Sequence, residues 1–209
     1  MRSSWRWFFV ASAVQTVLFF GVLAAYGTEE NGLRTLVRST ARSGCLVFLA
    51  VYAASSLRRI WPSDATGWLV RNRRPLGVSF AWAHGLHAIA IAMLATLQGD
   101  AFESDLVTLV FGGIGYLLLT AMAATSFDGA ARKIGPQRWA RLHRTGMHWL
   151  WTLFAFNWTL LSLQSLGYLP MAIATWAAAA VRFAAWRARR VGRRGSEPRA
   201  DDPLEAAAS

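Results

Sequence analysis

Long stretches without any charged residue dominate the pattern of this chain. Four runs contain no Asp, Glu, Lys or Arg, and they cover residues 7–28, 75–99, 106–127 and 145–181. A helix needs about 20 apolar residues to cross the hydrocarbon core of a bilayer. The first three runs therefore predict one membrane span each. The fourth, which Gly167 and Pro170 interrupt, predicts two spans joined by a tight turn.

A sixth span is predicted for the shorter apolar run 43–57. The flanking Arg42 and Arg58 extend this run to spanning length if their side chains snorkel towards the headgroups. We therefore expect an all-α integral membrane protein built as a six-transmembrane-helix bundle. The predicted helices lie near residues 5–26, 40–58, 76–97, 105–127, 137–165 and 168–188.

Two regions are expected along the chain. Residues 1–188 form a single transmembrane domain, because the connectors are too short to hold another one. Residues 189–209 form a disordered cytoplasmic tail, since they are rich in Arg, Glu, Asp, Pro and Ala and poor in large apolar side chains.

The basic residues follow membrane topology rather than a nucleic-acid surface. The chain carries a net charge of +11, and all of its Lys and Arg except Arg34, Arg38 and Arg42 fall on the side that holds both termini. By the positive-inside rule, that side is cytoplasmic. The sequence thus predicts a multi-pass protein of the bacterial inner membrane with both termini inside, a lipid environment and no nucleic-acid partner.

Several kinds of chemistry are excluded. Cys45 is the single cysteine, so the chain has no internal disulfide, no cysteine-based zinc cluster and no C-x-x-C-H site for covalent haem. No Gly-rich phosphate loop precedes a helix, and no segment resembles a βαβ unit. We therefore expect no flavin or NAD domain in this chain.

All four histidines fall in two predicted helices. His84 and His87 lie in the third, and His143 and His148 lie near the start of the fifth. An ionisable residue inside a bilayer is a site hypothesis by default, because it costs several kcal/mol unless it finds a partner. Neutral imidazole is also the usual axial ligand of haem iron. The alternative for each single histidine is a hydrogen bond to Ser, Thr or a carbonyl across a helix interface.

Helix geometry limits how these histidines can share an iron. The third and fifth predicted helices run in the same direction, so ligands on them can face each other. His84 and His87 lie about 60° apart around their helix, whereas His143 and His148 lie about 140° apart. One histidine from each pair is therefore expected to bind haem.

Two sequence blocks resemble a known family. These blocks are "RRPLGVSFAWAHGLH" (73–87) and "ATSFDGAARKIGPQRWARLHR" (124–144). They resemble the ferric reductase-like transmembrane family, and most closely its MsrQ or YedZ branch, the haem-binding membrane subunits of the methionine sulfoxide reductase system. The resemblance implies axial ligation of haem iron by His87 and His143, with Arg74 as the partner of a haem propionate.

Some alternatives stay open at the sequence level. Counted from the predicted helix start, His148 matches the depth of His87 better than His143 does. His84 stands where the family generally has a small residue, so it is a group that supports a ligand from behind, an alternate ligand or a packed polar residue. The family's further histidine, about 13 residues beyond the one matching His143, is replaced here by Phe156 and Asn157. One haem b is therefore expected rather than two.

The expected function is that of an electron-transfer subunit rather than a self-contained enzyme. The resemblance implies electron flow from quinol or a cytoplasmic flavin reductase to a periplasmic acceptor such as a methionine sulfoxide reductase. The alternatives are a ferric reductase-like membrane oxidoreductase and a haem-free helical bundle that acts as a transporter or assembly partner.

Overall fold

The computed structural model describes residues 2–102 and 106–195, and this part of the chain is all-α, with no strand. Two short 3-10 turns, Gly99–Ala101 and Leu166–Tyr168, separate neighbouring helices. The all-α prediction is therefore confirmed for the described residues. The eight α-helices are α1 (Arg2–Tyr26), α2 (Glu30–Ile60), α3 (Asp64–Arg71), α4 (Arg73–Gln98), α5 (Leu106–Ala124), α6 (Asp128–Ile134), α7 (Pro136–Gln164) and α8 (Leu169–Gly195).

Four segments are long and apolar enough to cross a membrane: Trp5–Tyr26, Glu30–Ile60, Arg73–Ala101 and Leu166–Val191. A fifth is added if α5 and α6, which are bent by 107° at a short break, count as one span. The 29-residue α7 does not reach the same hydropathy, because polar side chains such as His148 and Asn157 interrupt its apolar stretch. The chain is thus a multi-pass membrane protein, and six spans remain a prediction.

The helix α2 begins at Glu30, well before the predicted start near residue 40. Its first turns bury Leu33, Leu36 and Thr40, which recur at helical spacing, while Arg34 pairs with Glu30 at 2.8 Å on the exposed face. The prediction relied on charge-free runs and therefore missed this amphipathic extension.

Two short helices occupy connectors that were expected to be loops. The helix α3 starts at the Ser63 cap, whose hydroxyl accepts from the Thr66 amide while the Thr66 side chain reaches back to the Ser63 amide. The helix α6 follows the bend after α5 and ends at Gly135, where the backbone adopts φ +79°. Both helices link long helices at one end of the bundle.

At the other terminus, α8 continues to Gly195, seven residues beyond the predicted end of the last helix near residue 188. Residues 196–209 lie outside the described part of the chain. The arginines in the last turns of α8 do not end the helix, because Arg is itself a good helix former.

The long helices alternate in direction, and α2 lies at the centre, in contact with α1, α4 and α8. One buried cluster joins α1, α2 and α4 through residues such as Phe19, Leu36 and Ala90. A larger one joins α2 with α4, α5, α7 and α8 around Phe48 and Trp158. The outward faces are apolar instead of polar, with Leu117 73% exposed and Leu163 79% exposed, as expected for lipid contact.

Candidate functional site

A cavity of about 510 Å³ lies at the end of the bundle where α4 and α7 begin and α2 and α5 end. We call it the basic cavity, because four arginines and a single carboxylate border it. Its size falls in the range of ordinary cofactor sites. The lining residues are Phe48, Val51, Tyr52 and Ser55 of α2; Arg73, Arg74, Gly77 and Phe80 of α4; Leu119, Met122 and Ala123 of α5; Ser126, Asp128 and Ala131 of the α5–α6 region; Trp139, Ala140, His143, Arg144, Met147 and His148 of α7; and Arg182 of α8.

The side chain of Arg74 is already engaged by the protein. It donates to the main-chain oxygen of Ser126 and forms an ion pair with Asp128 at 2.6 Å. The hydrogen bond and charge of Arg74 hold the pKa of Asp128, in the connector after α5, below its usual value. Arg74 therefore borders the cavity, but its guanidinium joins α4 to the connector after α5.

Two other arginines are held against α2. Arg182 donates to the carbonyl oxygen of Tyr52 at 2.9 Å, and its guanidinium lies 4.2 Å from the centre of the Tyr52 ring. Arg73 donates to the hydroxyl of Ser55 at 3.0 Å. Sequence reasoning missed Arg182, because an arginine that follows an apolar run is ordinarily read as a membrane anchor.

The ring of His143 borders the basic cavity near the start of α7. It stacks on Trp139, with the two ring centroids 4.2 Å apart and the planes 27° apart. Trp139 donates its indole N–H to the carbonyl oxygen of Thr125 at 3.0 Å, and the Thr125 hydroxyl lies 3.4 Å from His143 Nε2. The end of α5 thus positions both rings. In the sequence, Thr125 and Trp139 stand out only as members of the matched block 124–144, and nothing else there indicates their role.

The alternate ligand His148 borders the same cavity. Its ring meets Tyr52 edge-on, with centroids 6.1 Å apart. His148 interacts electrostatically with the guanidinium groups of Arg144 and Arg182. His143 interacts in the same way with those of Arg73 and Arg74. Although the two histidines lie well apart around α7, both of them face the cavity.

The histidines of α4 do not border the basic cavity. His84 is buried against α2, where a Cβ on Gly44 would lie 3.0 Å from the ring, and its Nδ1 has no hydrogen-bond partner among the described residues. Phe80 covers the His84 ring at 4.3 Å. Position 84, where the family generally has a small residue, thus holds an imidazole ring in this chain. The absence of a side chain on Gly44 provides the space for that ring.

His87 is held by α2 through Thr40, whose hydroxyl oxygen lies 2.9 Å from His87 Nδ1. The Thr40 hydroxyl is itself within donating distance of the Leu36 and Val37 carbonyls. With its proton donated to one of these carbonyls, the Thr40 hydroxyl is placed to accept from Nδ1–H of His87. In that tautomer the lone pair of His87 resides on Nε2, which suits metal ligation.

The two predicted ligands lie at different depths in the bundle. The His84 ring contacts Phe154, with centroids 5.6 Å apart, and Phe154 follows His143 by eleven residues on α7. At 1.5 Å per residue this places His143 about 16 Å from the level of His84 along the helix axis. His87 lies almost one further turn away. This geometry does not bring His87 and His143 to one iron, and each separately remains a predicted ligand.

The chain is similar to several curated bacterial proteins. It is 34% identical over 144 residues to the protein-methionine-sulfoxide reductase heme-binding subunit MsrQ of Bordetella pertussis, covering 65% of this chain and 66% of that protein. It is 30% identical over 175 residues to the MsrQ subunit of Salmonella enteritidis, covering 77% of this chain and 82% of that protein.

A third relative, the MsrQ subunit of Cronobacter sakazakii, is 33% identical over 128 residues, or 54% of this chain and 62% of its own length. The matched segments thus span slightly under two thirds of the Bordetella and Cronobacter proteins. No family model matches the chain. No solved structure matches it either.

Proposed function

Because this chain belongs to the MsrQ family, we propose that it binds haem b in the basic cavity and transfers electrons as a membrane subunit of a methionine sulfoxide reductase system. The observation that carries the proposal is the combination of an imidazole, His143, with four arginines around one cavity of about 510 Å³. Haem is typically held by an axial ligand to its iron, often an imidazole nitrogen, by apolar walls around its ring and by cations near its two carboxylates.

The residues present fit such a group. His143 supplies the nitrogen, Phe48, Phe80 and Leu119 supply apolar walls, and arginines border the cavity. The bound iron would supply reversible one-electron chemistry, while the chain holds it and sets its surroundings. His148 is the rival ligand in the same cavity. The buried aromatic walls favour electron transfer by limiting the access of water to the site.

His87 remains a proposed ligand because of its place in the matched block and because its hydrogen bond with Thr40 uses Nδ1 and not Nε2. Since it lies about one further turn beyond the 16 Å separation described above, it would serve an iron other than that of His143. A haem-to-chain ratio measured by the pyridine haemochrome assay shows whether the chain binds one haem or two. One haem supports the cavity site alone, and two support a separate role for His87.

The orientation that we propose has the basic cavity and both termini on the cytoplasmic side of the bacterial inner membrane. The support is the gathering of Arg73, Arg144 and Arg182 at one end of the bundle. Electrons would enter there, from quinol or a cytoplasmic flavin reductase, and leave at the periplasmic end towards a methionine sulfoxide reductase.

Orientation is testable by cysteine labelling, because Cys45 is fully buried and gives little background. Thr28→Cys, between α1 and α2, is expected to react with an impermeant maleimide in intact spheroplasts. Ala65→Cys, in α3 at the other end of the bundle, is expected to react only after permeabilisation. The reverse pattern would refute the proposed orientation.

The function is tested on the full chain purified in detergent from haem-replete cells. We expect a red preparation with the dithionite-reduced minus oxidised spectrum of haem b. A colourless preparation with intact helical structure by circular dichroism would refute the proposal and favour a haem-free helical bundle.

A further inference from the structure

We propose that Arg182 of α8, assisted by Arg73, binds the carboxylates of the ligand in the basic cavity, which in this protein are the propionates of haem. The inference rests on the proposed function and deepens it. It moves the propionate site from Arg74, which the matched sequence block indicates, to an arginine on the last helix.

The first step is the charge balance of the cavity. Four arginines border it, and Asp128 is the single carboxylate among the lining residues. Asp128 is committed to Arg74 at 2.6 Å. Within the described residues, Arg73, Arg144 and Arg182 form no ion pair. Cations gathered around a cavity without counter-charges favour an anionic ligand.

The second step is the depth of Arg182 in the membrane helix. It is the first charged residue after the run 145–181, and it lies within the candidate span Leu166–Val191. It is therefore about 7.5 Å deeper along α8 than Arg187, the next arginine. A cation at that depth is costly unless it has a partner, so its position requires a stronger reason than headgroup anchoring.

The third step is preorganisation. One guanidinium nitrogen of Arg182 donates to the Tyr52 carbonyl at 2.9 Å, and the Cζ atom of Arg182 lies 4.2 Å from the centre of the Tyr52 ring. The other N–H groups stay available, since a guanidinium has five. Ser55, which accepts from Arg73, lies three residues after Tyr52 and so on the same side of α2. Both arginines are thus held on one stretch of α2 at the cavity wall.

The fourth step identifies the anion. Two carboxylates on one edge of a flat apolar ring match two arginines beside aromatic walls and an imidazole. A lipid phosphate shares the anionic chemistry, but it would bind Arg182 without regard to what occupies the cavity. The experiment therefore varies the carboxylates of the porphyrin alone.

The full-length protein is prepared in detergent from haem-depleted cells and titrated with haemin or with haemin dimethyl ester, in which the propionates are uncharged. Wild type is expected to bind haemin roughly 10- to 100-fold more tightly than the ester, the scale of a charge-assisted hydrogen bond. Arg182→Gln is expected to lose most of that preference while binding the ester as wild type does. Arg187→Gln removes the same charge from the same helix and is expected to keep the preference.

The outcomes separate the two proposals. If wild type binds neither porphyrin, the proposed function fails. If wild type binds haemin and its ester equally, or if Arg182→Gln keeps the full preference for haemin, the propionate role of Arg182 is wrong while the haem proposal stands. Ester binding by Arg182→Gln also shows that the variant is folded.

Discussion

Trp139 and His143 lie one helical turn apart on α7 with their rings stacked at a centroid distance of 4.2 Å. The stack is held from outside by α5, because Trp139 donates to the carbonyl oxygen of Thr125 at 3.0 Å. The imidazole at the cavity wall therefore has its plane set by two helices. His148 has no comparable stack, and its ring is exposed.

This difference predicts unequal effects of removing the two histidines. His143→Ala is expected to abolish the reduced-minus-oxidised haem spectrum of the cavity site, because the iron would lose its oriented axial nitrogen. His148→Ala, the matched control on the same helix and cavity, is expected to retain the spectrum. The measurement is haem content per chain together with the spectrum. If His148→Ala loses the signal and His143→Ala keeps it, the ligand has been misassigned.

Gly44 is predicted to be essential for packing, since its missing side chain makes room for His84. A Cβ at this position would lie 3.0 Å from His84 Cε1 and 3.1 Å from Nδ1, and the ring is confined by Phe80 on another side. Gly44→Val is expected to destabilise the fold by about 1–3 kcal/mol through overpacking.

The control for this effect is Gly21→Val, because a Cβ on Gly21 meets nothing within 4 Å. Thermal unfolding in detergent, followed by tryptophan fluorescence, is expected to show a lower midpoint for Gly44→Val only. Equal midpoints for the two variants would show that the close contact between α2 and α4 is not as tight as described.

Thr40 is predicted to stabilise the protein through its hydrogen bond with His87 at 2.9 Å. Thr40→Val keeps the shape but removes the hydroxyl that pairs with His87 Nδ1, and the loss of such a hydrogen bond away from water costs about 1–3 kcal/mol. Thr35→Val is the matched control, since the Thr35 hydroxyl is exposed and its hydrogen bonds, to the Asn31 carbonyl at 2.8 Å and from Arg38 at 3.3 Å, stay within α2. Chemical unfolding of the three proteins measures the difference. A loss no larger than that of Thr35→Val would argue against the hydrogen bond.

The ion pair between Arg74 and Asp128 predicts a pH dependence of stability. Arg74 lowers the pKa of Asp128 in the folded state, so the stabilisation is present above the unfolded value, about 3.9. It is lost as the pH falls through the lower, folded value. Asp128→Asn is therefore expected to lower the unfolding midpoint at pH 7, and the difference from wild type is expected to vanish in strong acid.

The control for this prediction uses Arg74→Gln as the background. Without the guanidinium, Asp128→Asn is expected to change the midpoint little at any pH, because the carboxylate has lost its partner. A difference at pH 7 that persists unchanged in acid would show that the ion pair is not its cause.

Much of the fold was predictable because the cost of placing a charge in lipid is a property of each segment by itself. The charge-free runs 7–28, 75–99 and 106–127 became the bodies of α1, α4 and α5. The early start of α2 was not predicted, because Arg34 and Arg38 interrupt the apolar run although Leu33 and Leu36 face the core. The bend of 107° between α5 and α6 likewise has no signature in the run of apolar residues.

The sequence alone determined that the chain is a bundle of long apolar helices with histidines on two of them, since segment composition and local spacing suffice for that. Only the tertiary structure decided which side chains share a cavity. The depth and rotation of a helix depend on how it packs against its neighbours. Gly44 of α2 packs against His84 of α4, and Phe154 of α7 contacts His84 at a level about 16 Å from His143. Packing therefore placed His143 and His148 with Arg182 and left His84 and His87 against α2.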